Sequence, residues 1–407
     1  MKKGTDVIVV GGGPCGSFTA LKLARLGVDV TVFEEHSEIG VPSHCAGHLS
    51  IKGLKQLDLY PLPAEIVENT FRGATFHSPN DNEFSVHLST PITCAVNRTL
   101  FDKYIAEKAQ LAGADYHLNS RVESVIIEDG FAKGVTVNEE ARAEKTFAKI
   151  IVDDEGVSSK LLKQAGLPGP DRHRLVKGVE TEVENVKDME PDMVEVFLGR
   201  EYSPGLYAWL IPKRDEKAKV GLATKTGNPK ELLQKLMLKH PAASKKLHAA
   251  KIIQTAFHPI TLGGPTSQNC TNGFLAVGDA ASQVKPTTGG GVIFGMTCAQ
   301  FAAEVANEAL QKNDVSKEFL DAYHKRCQEA LGLDIKVMLR MRKTLDAMSD
   351  KRIDKIVNLC KRFSLDKTLQ KVEDIDFQGQ TLLHVLGSPR MLTALAYFFF
   401  TYLFANP

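Results

Sequence analysis

The sequence predicts a mixed α/β (α+β) protein: a Rossmann-like nucleotide-binding domain, an inserted antiparallel-sheet domain and a helical C-terminal region. Three observations carry that expectation. An apolar strand, Asp6 to Val10, runs straight into Gly11-Gly12-Gly13-Pro14-Cys15-Gly16 and a helical pattern from Ser17 to Leu26, the order that a βαβ phosphate-binding turn requires. Residues Phe274 to Gly295 read FLAVGDAASQVKPTTGGGVIFG, a second strand-loop-helix stretch around which the rest of the chain can be placed. Beyond Val315 the apolar residues Phe319, Tyr323, Cys327 and Leu331 recur at four-residue spacing, the mark of an amphipathic helix.

Length and composition bound the answer. At 407 residues the chain is expected to hold two or three domains. Hydrophobic content of 43% and charged content of 24% are those of a soluble globular protein. The net charge of +1 exerts no global pull on nucleic acid, although Asp334 to Lys371 carries eleven Lys or Arg against five Asp. Seven cysteines, at 15, 45, 94, 270, 298, 327 and 360, are odd in number and widely spaced without a CxxC. That argues against a disulfide framework or a zinc site and for a reducing cytosol. Met-Lys-Lys-Gly leads directly into a strand, without the apolar core of a signal peptide, and no run reaches the roughly 20 apolar residues of a membrane span. A cytoplasmic protein is expected, with a peripheral place on the inner face of the cell membrane left open.

In the first motif Gly11 makes the turn, Gly13 admits a pyrophosphate and Gly16 lets helix and strand pack, while the helix dipole meets phosphate charge. The next strand, Val28 to Phe33, ends in Glu34, 23 residues after Gly11, where a carboxylate can accept ribose hydroxyls; Glu35 reads as a solvated neighbour. The turn-rich stretch Ile39 to Ser50 sets Cys45 between His44 and His48. Such a pair could serve nucleophilic chemistry or a metal, yet the spacing is no ligand signature and a structural loop is the plainer reading. Thr70 to Thr90, with its turn Ser-Pro-Asn-Asp-Asn, reads as a β-hairpin. Arg98 opens a helix over Thr99 to Ala112, where it could meet a phosphate or cap a solvated face. Val122 to Glu128 and Phe131 to Val137, joined by Asp129-Gly130, form a hairpin, and Ile150 to Asp153 returns as a strand.

Between Lys177 and His258 the pattern is strand-like, centred on Tyr202 to Lys213, with the only tryptophan at Trp209. Tyr207, Trp209 and Ile211 share one strand face, either a sheet core or the lining of an apolar pocket. In the second motif Gly278 turns the chain so that Asp279 stands at a strand end, able to hold a sugar hydroxyl. Gly289, Gly290 and Gly291 let backbone amides approach a flat ring, with a helix N-terminus behind them that suits the electron-rich edge of a reduced flavin. Met391 to Phe404 holds twelve apolar residues in fourteen. It is too short to span a bilayer and either packs on the protein or lies in a membrane interface beside the basic segment.

With both nucleotide motifs read, the chain resembles the FAD-dependent oxidoreductases of the aromatic-hydroxylase type and, within them, the geranylgeranyl reductase family, particularly the archaeal digeranylgeranylglycerophospholipid reductases. GGGPCG, the CAGHLS loop, NRTLFD, YAWLIPK and GDAASQVKPTTGGG carry the resemblance over roughly residues 5 to 330. It implies that Gly11, Gly13, Gly16, Glu34, Arg98 and Asp279 hold FAD and that Pro286 and Gly289 to Gly291 lie by the isoalloxazine. Pro14, Glu35, Cys45, Ala46, Val122 and Val292 complete the implied cofactor contacts. Tyr207 and Trp209 would line a prenyl pocket, and Cys45 would face the ring. Two departures stand out: Glu155-Gly156 replaces Asp-Gly, and His48 follows Gly47 where an apolar or acidic residue is expected. The implied domains are residues 1–55, 96–170 and 268–330 for FAD, 56–95 and 171–267 for substrate, and 331–407 as a helical region.

The implied reaction saturates C=C bonds of geranylgeranyl chains by hydride from reduced FAD plus a proton. An isolated alkene collects positive charge at its tertiary carbon, which the faces of Tyr207 and Trp209 can stabilise by on the order of 1 kcal/mol each. The candidate proton sources are Cys45, His44, His48 and a water, with Cys45 or water favoured. One βαβ fingerprint leaves no dedicated nicotinamide domain, so NADPH, a ferredoxin or a reduced deazaflavin is the expected electron donor. The competing readings are a monooxygenase or halogenase on an aromatic substrate, since halogenases carry a related aromatic-x-Trp-x-Ile-Pro motif, and a non-catalytic lipid-binding flavoprotein.

Overall fold

The computed structural model describes residues 4–139, 142–370, 375–379 and 388–393. The expected apolar tail, Met391 to Phe404, lies outside the described residues beyond Thr393. The chain forms two compact units, one of Met1–Ser43, Asn97–Leu175 and Thr261–Ile335, the other of His44–Val96, Val176–Ile260 and the described residues from Lys336 onward.

The first unit is built on a sheet whose strands run in the order Cys270–Thr271, Phe274–Ala276, Arg142–Asp153, Thr5–Val10, Val30–Phe33 and Asp115–His117. All pair in parallel except the first two. Val7, Ile8 and Val9 are wholly buried, as the near-continuous apolar run of a strand covered on both faces demands. The strand Arg142–Asp153 serves two partners. Its end, from Ala148, pairs in parallel with Thr5–Val10, while its start pairs antiparallel with Phe131–Glu139, which in turn forms the expected hairpin with Ser120–Glu128 through Asp129 and Gly130, both at positive φ. The helix Pro14–Arg25 packs between Arg98–Leu111 and Val292–Lys312.

The second strand starts at Val30 rather than at the expected Val28. Gly27 adopts φ +77° and the Val28 N–H bonds back to the Leu23 carbonyl, so these residues close the helix instead of opening the strand. The helix Lys317–Ala347 likewise buries Leu320, Tyr323, Cys327 and Leu331, whereas Phe319, expected on that face, is only partly buried. A stripe on a 3.6-residue period steps by three as well as four, and Leu320 occupies the inner position.

The second unit holds a seven-stranded sheet in the order Lys251–Thr261, Leu175–Glu184, Ala218–Thr224, Ala208–Pro212, Met193–Phe197, Gly73–His77, Glu83–His87. Its antiparallel pairings include the expected hairpin across residues 78–82, but Met193–Phe197 and Gly73–His77 pair in parallel. These two strands lie far apart in sequence, so no tight turn sets their direction. Alternation along Ala208–Pro212 is clear: Ala208 and Leu210 join a core closed by the helices Pro229–Lys239 and Pro241–Leu247, while Ile211 and Trp209 face a separate cluster with Phe71, Ala95 and Val194. A small antiparallel sheet of His48–Ser50, Thr93–Val96 and Val67–Phe71 lies in the same unit. Among the described residues no helix is long and apolar enough to cross a membrane.

Candidate functional site

In the first unit the glycine turn has a geometric reason at each fixed position. Gly11 sits at φ +101°, and a Cβ there would stand 2.3 Å from the Asp154 carbonyl. A Cβ on Gly16 would stand 2.1 Å from the Gly11 carbonyl, so strand and helix approach as only glycine allows. Gly13 differs. As N-cap of Pro14–Arg25 it offers no side chain, and its missing Cβ would meet nothing nearer than Asp154 Oδ2 at 3.6 Å. Pro14, in the first helical turn, lacks an N–H that would need a partner there. The positive end of the helix dipole lies at the partly exposed Gly13 and Pro14, a cradle fitted to a diphosphate.

Glu34 ends its strand with Oε2 accepting from Gly12 N–H at 2.7 Å and Oε1 accepting from His36 N–H at 2.9 Å. Oε1 also meets His36 Nδ1 at 2.5 Å, so Oε2 is the oxygen that keeps a lone pair for a hydroxyl donor. Glu35 is half-exposed beside His36 and Arg121. Arg98, the first residue of its helix, does not cap a solvated face: its guanidinium is largely buried and makes a two-pronged pair with Asp102 at 2.9 and 2.8 Å. Val122 pairs with Val137 in the hairpin and packs partly against the unit's core.

The second glycine run follows the short turn Gly278–Ala281. A Cβ on Gly291 would lie 3.0 Å from Asp279 Oδ1 and 3.1 Å from Val284, and one on Gly290 would lie 2.9 Å from Lys285, while Gly289 adopts φ +76°. The loop's own geometry thus calls for glycine at 289 and 291, whereas the flexible Lys285 side chain over Gly290 can swing aside. Pro286 is buried and Val292 opens the helix Val292–Lys312, whose N-cap Gly291 supplies no side-chain bond. Two helix ends whose N-cap glycines supply no side-chain bond, a fixed Glu34 and a glycine-lined turn fit a dinucleotide bearing a flat ring.

Sequence reasoning missed Asp154, whose Oδ2 accepts from Gly16 N–H at 2.5 Å and whose carboxyl burial pushes well above the usual range. The run of acids closing a buried strand, Asp153-Asp154-Glu155, was the available signal. Glu155 of the departing Glu-Gly turn has a structural task, accepting from Leu161 N–H and the Ser158 hydroxyl at the start of Lys160–Gln164.

The second unit gathers the remaining candidates from distant parts of the chain. Ala46, next to Cys45, packs in the cluster that holds Trp209, Ile211, Phe71 and Ala95. Cys45 Sγ accepts from Gly47 N–H at 3.5 Å and is partly buried. His48 is built into the small sheet, with Nε2 2.8 Å from Thr93 Oγ1 and its ring edge-on to Phe71. His44 stacks on His258, with ring centroids 5.7 Å apart. Tyr207 and Trp209 meet edge to face at 6.0 Å. Burial pushes the Tyr207 hydroxyl up to about 12, opposed in part by Arg342.

A charged group beneath this wall was also missed. Trp209 Nε1 donates to Glu180 Oε2 at 3.1 Å. Lys219 Nζ donates to the Ala46 carbonyl at 3.1 Å and pairs with Glu68 at 3.0 Å, and Lys213 bridges Glu68 and Glu182 at 2.8 Å each. Burial raises Glu180 to about 7 against the pull of Lys219 and the indole N–H. Charged residues at alternate positions of Val176 to Glu184, opposite an aromatic strand, were the sign of it.

Comparison with known proteins agrees with this arrangement. The FAD binding domain family matches residues 4–331. Digeranylgeranylglycerophospholipid reductase 2 of Methanopyrus kandleri is 31% identical, covering 88% of this chain and 90% of its own. A geranylgeranyl bacteriochlorophyll reductase-like protein from Thermoplasma acidophilum superposes with a TM-score of 0.86 at 25% identity, over 97% of this chain and 98% of its own. A flavin-dependent brominase is similar in fold alone, with a TM-score of 0.72 at 17% identity over 97% and 98%. The chain belongs to the FAD binding domain family and, within it, to the digeranylgeranylglycerophospholipid reductases, and is an FAD-dependent oxidoreductase.

Proposed function

We propose that the protein saturates C=C bonds of geranylgeranyl chains on archaeal-type membrane lipid precursors. The observation that carries this reading is the single apolar cluster in which the Cys45-Ala46 segment meets Trp209 and Ile211, with Tyr207 against the indole. Such a wall suits a hydrocarbon chain.

When bound in its reduced form, FAD supplies the hydride. Gly11, Gly13, Gly16, Glu34, Arg98, Asp279, Pro286 and Gly289 to Gly291 would hold the cofactor. Hydride and proton add across the double bond, so the C=C π bond is lost and two C–H bonds form. Tyr207 and Trp209 face the positive charge that gathers at the tertiary carbon. Cys45 or a water gives the proton; His48 is committed to Thr93. The Tyr207 hydroxyl, at about 12, stays neutral and contributes its ring rather than an anion. A separate donor, NADPH, a ferredoxin or a reduced deazaflavin, returns electrons to the cofactor, and the basic C-terminal region makes peripheral contact with anionic lipid.

The test is anaerobic. The protein is reduced with dithionite, geranylgeranyl lipids are added, and products are followed by mass spectrometry. Flavin reoxidation with a gain of two hydrogens per double bond is the expected result. Flavin that stays reduced until oxygen enters would overturn the reading in favour of an oxygenase.

A further inference from the structure

We propose that Glu180 is a positioning residue for Trp209: its carboxyl fixes the indole across Gly221, and the charge on that carboxyl sets how electron-rich the indole face is. The inference deepens the reading above at the same aromatic wall and rests on it only for the use to which Trp209 is put.

The strands Leu175–Glu184, Ala218–Thr224 and Ala208–Pro212 are neighbours, and their register sets Glu180 opposite Gly221 and Gly221 opposite Trp209. A Cβ on Gly221 would stand 2.5 Å from Trp209 Cζ2. The indole therefore lies over the strand that separates it from Glu180, and its N–H reaches the carboxyl at 3.1 Å. With the ring packed against Ile211, Phe71 and Ala95 on one side, this bond is the polar tether that selects its orientation.

The surrounding charges single out Glu180 as the group that titrates. The cluster contains three carboxyls, Glu68, Glu180 and Glu182, and two ammonium groups, Lys213 and Lys219. The two lysines make ion pairs with Glu68 and Glu182. Both ammonium charges are thus matched by those two acids, and Glu180, with the indole N–H as its hydrogen-bond partner, is the third. Lys219 on Ala218–Thr224 and the Trp209 N–H favour its anion; Glu68 on Val67–Phe71 and Glu182 on its own strand oppose it. On the far side, Lys251–Thr261 meets this strand through Thr181, which bonds the Gln254 carbonyl and the Thr255 hydroxyl. Burial outweighs the attractions and holds Glu180 at about 7. Below that pH the carboxyl is neutral and the tether is an ordinary hydrogen bond. Above it the tether is charge-assisted, roughly twice as strong, and pushes electron density onto the indole.

Trp209 is the only tryptophan, so indole-selective emission from the holoenzyme reports on this one side chain. The wild type is expected to show an emission change with a midpoint near 7. E180Q should lose it and rest near the acid limb, E180D should keep a weakened change because its carboxyl is set back, and E182Q should retain the full change with its midpoint moved down, since Glu182 opposes the Glu180 anion. The titration surviving intact in E180Q would assign it to another group and overturn the proposal, as would a flat wild-type profile. In turnover, E180Q is expected to lower kcat by about three- to tenfold, leave KM and FAD content unchanged and lose the limb near pH 7. A wild type that reduces no polyprenyl lipid would sink the functional reading, while the emission titration would still decide the tether.

Discussion

Replacing Gly221 with alanine tests the aromatic wall most directly. The added methyl would stand 2.5 Å from Trp209 Cζ2, 2.6 Å from Cε2 and 2.7 Å from the Val179 carbonyl. The carbonyl is sheet backbone and cannot retreat, so the indole must move by roughly an ångström to reach ordinary contact. The 3.1 Å bond to Glu180 would then stretch beyond hydrogen-bonding range. Overpacking costs about 1–3 kcal/mol and a lost bond to a charged group about 1.5–3 kcal/mol, partly overlapping, so about 2–4 kcal/mol in all is expected. With about 2–4 °C of Tm per kcal/mol for a unit of this size, thermal unfolding should fall by at least about 4 °C. Trp209 emission should shift at the same time, and reduction of polyprenyl lipid should drop while flavin stays bound. A Tm within about 1 °C of wild type together with unchanged emission would refute the reasoning.

Gly13→Ala and Gly16→Ala separate cofactor binding from folding in the glycine turn. The first adds a Cβ with room in the fold and should leave secondary structure intact while flavin content falls at least about tenfold; the second collides with the Gly11 carbonyl and should lower thermal stability as well. Equal flavin content in wild type and Gly13→Ala would remove Gly13 from the phosphate cradle. Cys45→Ser should reduce turnover with the flavin spectrum unchanged, and unaltered turnover would take Cys45 out of the mechanism. Gly332→Ala, inside Lys317–Ala347 where a Cβ would meet nothing within 4 Å, should stabilise the protein by up to about 1 kcal/mol, read by denaturant unfolding.

The nucleotide half of the protein could be read along the chain because its chemistry is local. Strand, GGGPCG, helix, strand and Glu34 are consecutive, so backbone periodicity alone orders them. The same holds for the run from Phe274 to Gly295 and for the hairpin through Asp129-Gly130. What a turn's exact hydrogen bonds decide was less legible: Val28 closes a helix rather than opening a strand. Leu320 rather than Phe319 faces inward, because spacing in a sequence fixes a face only to within one residue.

The sequence by itself determined the fold class, the cofactor class and the aromatic pair of Tyr207 and Trp209. Tertiary structure alone decided what stands around them. Asp154 reaches Gly16 across 138 residues, Trp209 reaches Glu180 across 29, and Lys219 reaches the Ala46 carbonyl across 173. No periodicity encodes such contacts, since they arise from sheet register and from burial, which sets the proton affinity of Glu180 through the solvent it removes and the charges it leaves nearby.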